Sequence, residues 1–244
     1  MDLGIAGRRA AVAAASRGLG YGVAEALARE GVAVAICGRD RQQVDAAAKQ
    51  LGGDTVALVV DVSTTDGATE FATRARAALG GIDILVPNAG GPPPGTFATT
   101  LLEEYAKAIE LNCLSVIAMC TEAVPAMRAQ RWGRVVAITS ISVRQPIPHL
   151  ILSNTARAGA TGYLKTLARE VAADGVTVNS LQPGLHDTER VRQLGEPDAS
   201  GIPAGELGRP ADFGAVAAFL CSDHARFLTG AAIPVDGGAH AGLQ

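Results

Sequence analysis

The chain is short of lysine, of aromatic residues and of paired cysteines. Lys and Arg together number 21 in 244 residues, yet Lys occurs only at Lys49, Lys107 and Lys165. Aromatics make up 4% of the chain, so its core has to be aliphatic. Cys37, Cys113, Cys120 and Cys221 show neither a CxxC pair nor a zinc-ligand spacing. That argues against a disulfide framework and a metal site, and leaves small buried hydrophobes in a reducing compartment. Neither sign of charge dominates. A formal net charge of -3 implies no broad attraction to nucleic acid or to an anionic membrane. Met1-Asp2-Leu3-Gly4 lacks the basic and apolar stretches of a signal peptide. No apolar run reaches the roughly 18 residues of a membrane span. The expectation is a cytoplasmic protein without nucleic-acid or membrane partners.

What is present is an alternation. Residues 10–15, 32–37, 55–60, 82–87, 134–139, 176–181 and 231–235 read as strands. Residues 21–30, 41–51, 153–173 and 210–221 read as helices, as does a long stretch over 101–130. Continuous apolar strands separated by helices predict a parallel sheet covered on both faces. The Gly/Pro-rich stretch 90–95 reads as a loop, because the rhythm continues beyond it. The expected fold is α/β, one doubly wound domain over residues 1–244 with about seven strands.

Ala13-Ala14-Ala15-Ser16-Arg17-Gly18-Leu19-Gly20 joins the first strand to the first helix. A tight turn without a ligand uses glycine as well. In this βα context, however, Gly18 and Gly20 let the backbone approach a pyrophosphate at the helix N-terminus, where free N–H groups and the helix dipole favour anions. The second strand ends in Cys37-Gly38-Arg39 rather than in the acidic residue that holds the ribose of NAD. Arg39 and Arg17 are cations where a 2′-phosphate would lie, and Asp40 reads as the cap of the next helix. The expected cofactor is NADP(H), in a Rossmann-type site.

Further motifs follow in order: Asp61-Val62, Asn88-Ala89-Gly90, Asn112, Ser140, Asn179, Pro183-Gly184 and Thr188. Arg209-Pro210 and Val235-Asp236-Gly237-Gly238 close the series. With Ser16 to Gly20, they make the chain resemble the short-chain dehydrogenase/reductase family, especially its 3-oxoacyl-acyl-carrier-protein reductase-like members, over almost its whole length. The resemblance implies that Asp61 contacts the adenine and that Pro183, Gly184 and Thr188 form the nicotinamide loop. It also implies that Ser140 and Asn112 belong to the catalytic set. The implied substrate is a small-molecule carbonyl or alcohol, and the implied assembly is a homotetramer, with a homodimer as the simpler alternative.

The departures from the family pattern are specific. Ala13 and Ala14 replace the Thr and first Gly of the TGxxxGxG loop, and Pro87 the first Asn of NNAG. Ser153 stands where the family has its catalytic Tyr, and Arg157 where it has its Lys. Tyr163 is no substitute, since Leu167 rather than Lys follows one turn later. The segment 188–209 is short for a substrate-covering lobe.

In the family the Tyr protonates the carbonyl oxygen as hydride arrives, and the Lys lowers the Tyr pKa and holds the ribose. A Ser hydroxyl is far too weak an acid to be tuned in the same way. Arg157 shares a helix face with Ser153 and can hydrogen-bond a ribose, but stays charged and relays no proton. Losing a general acid costs about 10²–10⁴ in rate, or roughly 3–5.5 kcal/mol, which reduces activity without abolishing it. His149, ahead of the active-site helix, and His186, in the nicotinamide loop, are candidate replacement acids. Ser142 and Arg144 are candidate pocket residues. Three readings stay open: an NADP(H)-dependent carbonyl reductase or alcohol dehydrogenase with an altered acid, a nucleotide-binding protein without redox turnover, and a non-redox enzyme. The last resembles halohydrin dehalogenases, but these keep the Tyr and lose the nucleotide loop, the reverse of this chain.

Overall fold

The apolar stretches form one parallel sheet in the computed structural model, which describes residues 1–53, 55–193, 195 and 197–243. Its strands are β1 (Arg9–Val12), β2 (Ala33–Gly38), β3 (Val56–Val59), β4 (Ile84–Val86), β5 (Gly133–Ile138), β6 (Val176–Pro183) and β7 (Ala232–Val235). They lie in the order β3-β2-β1-β4-β5-β6-β7, and all the pairings are parallel. The helices are α1 (Gly18–Arg29), α2 (Arg41–Leu51), α3 (Thr65–Leu79), α4 (Leu102–Ile109), α5 (Ser115–Ala129), α6 (Ile151–Val171), α7 (Glu189–Gln193) and α8 (Pro210–Cys221).

The two-residue period of the strands divides the core. Ala11, Leu85, Val135 and Val178 pack with Phe71 of α3, Met119 of α5 and Leu164 of α6 on one face. Ala10, Val12, Ile84 and Val136 pack with Leu27 of α1, Val44 of α2 and Phe213 of α8 on the other. Bulk is provided by aliphatics, as the scarcity of aromatics requires. Helices α1 and α8 meet backbone to backbone, and a Cβ at Gly22 would overlap the Pro210 carbonyl.

The sequence reading omits α3. Thr64 caps it by accepting from the Gly67 N–H at 3.1 Å, and Gly80 ends it in the left-handed conformation. The single helix read over 101–130 is interrupted by a π turn at Glu110–Leu114. By length and composition, Leu102–Ala129 is apolar enough to cross a membrane, more than the run-based reading allowed. It starts with the charged Glu103, Glu104 and Lys107, however, and Met119, Ala123 and Met127 are buried in the core, as befits a core helix.

Strand order reverses between β1 and β4. In an open parallel sheet the crevice beyond the strand C-termini at such a point is where ligands bind.

Candidate active site

Each strand on the nucleotide side runs out into this crevice, a cleft of about 840 Å³. From the turn after β1 it receives Ala14, Ser16, Arg17, Gly18, Leu19 and Gly20. The turn is tight, and a Cβ on Gly20 would lie 2.7 Å from the Ala14 carbonyl oxygen and 2.8 Å from Asn88 Nδ2. Asn88 is the clamp, donating from Nδ2 to the carbonyls of Ala13 at 3.1 Å and Ala14 at 3.2 Å.

Ala14 carries the strain of this turn. Its φ is +46°, in the left-handed region that glycine tolerates and alanine resists. The first-glycine position of the loop has therefore lost its glycine while keeping a glycine conformation. Ala14→Gly is expected to stabilise the fold by about 1 kcal/mol, read as a shift in a denaturation midpoint at unchanged slope. A destabilised variant would contradict the strain assignment.

Beyond β2, Arg39 lines the cleft and forms no ion pair among the described residues. Asp40 caps α2 by accepting from the Gln43 N–H at 2.9 Å, as its position predicted. Asp61 and Val62 after β3, and Asn88, Ala89 and Gly90 after β4, also line the cleft. Arg17 is not free: its Nη1 is paired with Glu189 of α7, on the opposite wall. Sequence reading missed Glu189, and its only signal was an acid beside the Thr188 of the loop motif.

The other end is built on β5 and α6. Ser140 lies in the cleft at the start of a 3-10 turn, its Oγ accepting from the Ser142 N–H at 3.1 Å and leaving its hydroxyl proton unassigned. A turn at His149, with φ +56°, leads into α6; Gly95 holds it through its N–H to the His149 carbonyl at 2.7 Å. One turn into α6, Ser153 and Arg157 face the cleft together, and both are buried. Arg157 Nη1 donates to the carbonyls of Ile138 at 3.2 Å and Thr139 at 3.1 Å. Burial and the charge of Arg190 push its pKa down to about 10. Pro183, Gly184 and Thr188 close the cleft from β6.

Other candidates fall elsewhere. Asn112 is buried in the π turn behind the cleft wall, where its Nδ2 donates to the Gly90 carbonyl at 2.9 Å. It supports the Asn88-Ala89-Gly90 loop from behind. His149 is exposed and does not line the cleft. Ser142 is buried outside the cleft lining, and Arg144 turns away to donate to Gln182 Oε1 and the Ala232 carbonyl. His186 does line the cleft, but its Nδ1 lies 3.2 Å from the Gly184 carbonyl and so carries the proton. Its ring packs edge-on against Phe213, and a Cβ on Gly208 would lie 2.7 Å from Nε2. Burial lowers its pKa. Neither histidine is arranged as a proton donor.

Comparison with known proteins agrees with this geometry. Residues 13–240 match the family model described as enoyl-(acyl carrier protein) reductase. The chain is 34% identical over 238 residues to the 3-oxoacyl-[acyl-carrier-protein] reductase of Escherichia coli K12, covering 96% of this chain and 98% of that protein. It is 35% identical over 240 residues to the acetoacetyl-CoA reductase of Shinella zoogloeoides, covering 95% and 98%. Among solved structures, L-sorbose reductase from Gluconobacter frateurii, complexed with NADPH and L-sorbose, superposes with a TM-score of 0.93 at 30% identity, covering 100% of both chains. The 3-oxoacyl (acyl-carrier-protein) reductase of Agrobacterium tumefaciens C58 with NADP bound gives 0.91 at 32% identity, covering 97% and 95%.

Proposed function

The chain belongs to the short-chain dehydrogenase/reductase family of oxidoreductases, and on that premise we propose that it is an NADP(H)-dependent reductase of carbonyl compounds, or dehydrogenase of the matching secondary alcohols, in which Ser153 and Arg157 replace the family's Tyr and Lys. The observation that carries the reading is one continuous cleft with the glycine turn and Arg39 at one end and Ser140, Ser153 and Arg157 at the other.

The residues fit a dinucleotide phosphate. Ser16, Gly18, Leu19 and Gly20 present backbone N–H groups at the start of α1 to a pyrophosphate. Arg39, without an ion pair among the described residues, offers its guanidinium to a 2′-phosphate. Asp61 and Val62 flank the adenine end; Asn88, Ala89 and Gly90 form the floor; Pro183, Gly184 and Thr188 face the nicotinamide end. Bound there, NADPH supplies a hydride.

The remaining chemistry belongs to the chain. Ser140 and Ser153 present hydroxyls to the carbonyl oxygen, and Arg157 places a fixed positive charge beside the oxygen as it becomes anionic. Arg157 also reaches the ribose hydroxyls from the same helix face. Among the described residues, no side chain at this end is arranged as a tuned proton donor. A Ser hydroxyl gives one up only as it receives another, so Ser153 hands on a proton from solvent. The reaction is therefore slower than with a tuned phenol, in line with the usual weight of a general acid. The test is consumption of NADPH by the purified protein with a panel of small ketones. Binding of NADPH without turnover on any of them would leave a nucleotide-binding protein without redox function.

The proposed assembly is a homotetramer, or the homodimer it would be built from, in the cytoplasm. Phe97 is 89% exposed and Leu102 81%, both beside α4, while Phe219 of α8 and Phe227 lie open on the C-terminal side. Two separate apolar faces suit two-fold pairing along two axes. Light scattering at micromolar concentration should give a tetramer or dimer mass, and a monomer would contradict the assignment.

A further inference from the structure

We infer that Cys37 is a positioning residue for the nucleotide: its thiol sulfur holds the Ala14 N–H, and with it the strained turn that presents backbone donors to the pyrophosphate. The inference rests on the nucleotide reading above and adds to it a residue that lies outside the cleft lining.

The chain leaves β1 in three steps. The Ala13 N–H donates to the Val86 carbonyl of β4 at 3.1 Å, and the Ala15 N–H to the Cys37 carbonyl of β2 at 2.9 Å. Between them Ala14 takes its left-handed conformation, and among the described residues no backbone carbonyl accepts from its N–H. It donates instead to Cys37 Sγ at 3.2 Å. Two side chains from neighbouring strands thus grip one residue. Cys37 of β2 holds its N–H, and Asn88, just after β4, holds its carbonyl at 3.2 Å.

The end of β2 is shaped to this turn. Cys37 is fully buried, on the same face of the sheet as Ala11, Ala35 and Leu58. Burial pushes its thiol up to about 12. The next residue, Gly38, packs against the turn as well, and a Cβ there would lie 3.0 Å from Ser16 Oγ.

A left-handed alanine persists only where its surroundings hold it. With the thiol removed, the Ala14 N–H loses its partner, and the residue is free to relax toward the common backbone regions. The turn runs directly into Ser16, Gly18 and the first N–H groups of α1, so this relaxation misaligns the donors that meet the pyrophosphate. A contact that serves the fold alone is felt in stability. This one is felt in nucleotide affinity too, equally for NADPH and NADH, because both carry the pyrophosphate.

The test is a double-mutant cycle read by calorimetric titration with NADPH and NADH. Cys37→Ala should weaken both nucleotides about fivefold, the size expected for one neutral hydrogen bond. In an Ala14→Gly background, where no strain needs holding, the same change should cost less than about twofold. Cys221→Ala removes an equally buried thiol, at the end of α8, and is the control. It should lower the denaturation midpoint and leave both affinities unchanged. Unchanged affinity in Cys37→Ala, a loss confined to NADPH, or the same loss in both backgrounds would overturn the inference. The two readings fail separately. Binding of neither nucleotide by the wild type would contradict both, whereas wild-type binding that Cys37→Ala leaves intact would contradict only the role of Cys37.

Discussion

Replacing Ser153 by Tyr and Arg157 by Lys together is expected to raise the rate of ketone reduction about 10²-fold or more on activated ketones. The two positions share the cleft-facing side of α6, one turn apart, and both line the cleft with Ser140. A phenol at 153 with an ammonium at 157 would restore an acid whose pKa a neighbouring cation brings toward working pH. Neither half suffices. Ser153→Tyr alone leaves a guanidinium fixed on the Ile138 and Thr139 carbonyls, and Arg157→Lys alone leaves no acid. The check is kcat for the wild type, both single variants and the double variant, with NADPH affinity measured in each. A double variant that binds NADPH normally but shows no gain would mean that Ser153 is not at the proton-donor position.

Arg39→Asp is expected to weaken NADPH binding about 10²-fold while changing NADH binding little. Arg39 is the cation at this end of the cleft without a carboxylate partner among the described residues, and charge-assisted bonds to phosphate are worth about 1.5–3 kcal/mol. Arg17→Ala should cost less. Glu189 already pairs with Arg17, so a phosphate must compete for a guanidinium that is half exposed and occupied. Calorimetric titration of both nucleotides against the wild type and the two variants decides this. Equal loss of NADPH and NADH affinity in Arg39→Asp would place the 2′-phosphate elsewhere.

The sheet was legible because its strands are buried on both faces and read as apolar runs between turn residues. The helix limits 41–51 and 210–221 matched because Asp40 and Pro210 mark their starts in the sequence. Helix α3 was missed although Thr64 and Gly80 bracket it. Its threonines and Gly67 weaken helix propensity, and its apolar face of Ala68, Phe71, Ala72 and Ala75 is mostly alanine. The π turn was invisible because the residues around Asn112 keep helical composition through it. The cofactor end was readable because glycines and the residue after β2 act through the backbone and charge of a local turn. The contacts across the cleft were not. Glu189 and Arg190 of α7 meet partners far off in sequence, Arg17 and the Gly91–Pro92 backbone, and only folding brings them together. His149 and His186 looked alike as candidates, yet a left-handed turn leaves one outside the cleft and a carbonyl takes up the proton of the other.

Transfer of deuterium from the reactive position of labelled NADPH to the carbinol carbon of a ketone substrate tests the central claim most directly. Mass spectrometry after a single turnover, with enzyme in excess, reads it without interference from traces of another reductase. The predicted result is one deuterium in the product alcohol, formed slowly by the wild type and faster by the Ser153→Tyr/Arg157→Lys double variant. Saturating NADPH binding with no deuterium transferred to any ketone would contradict it.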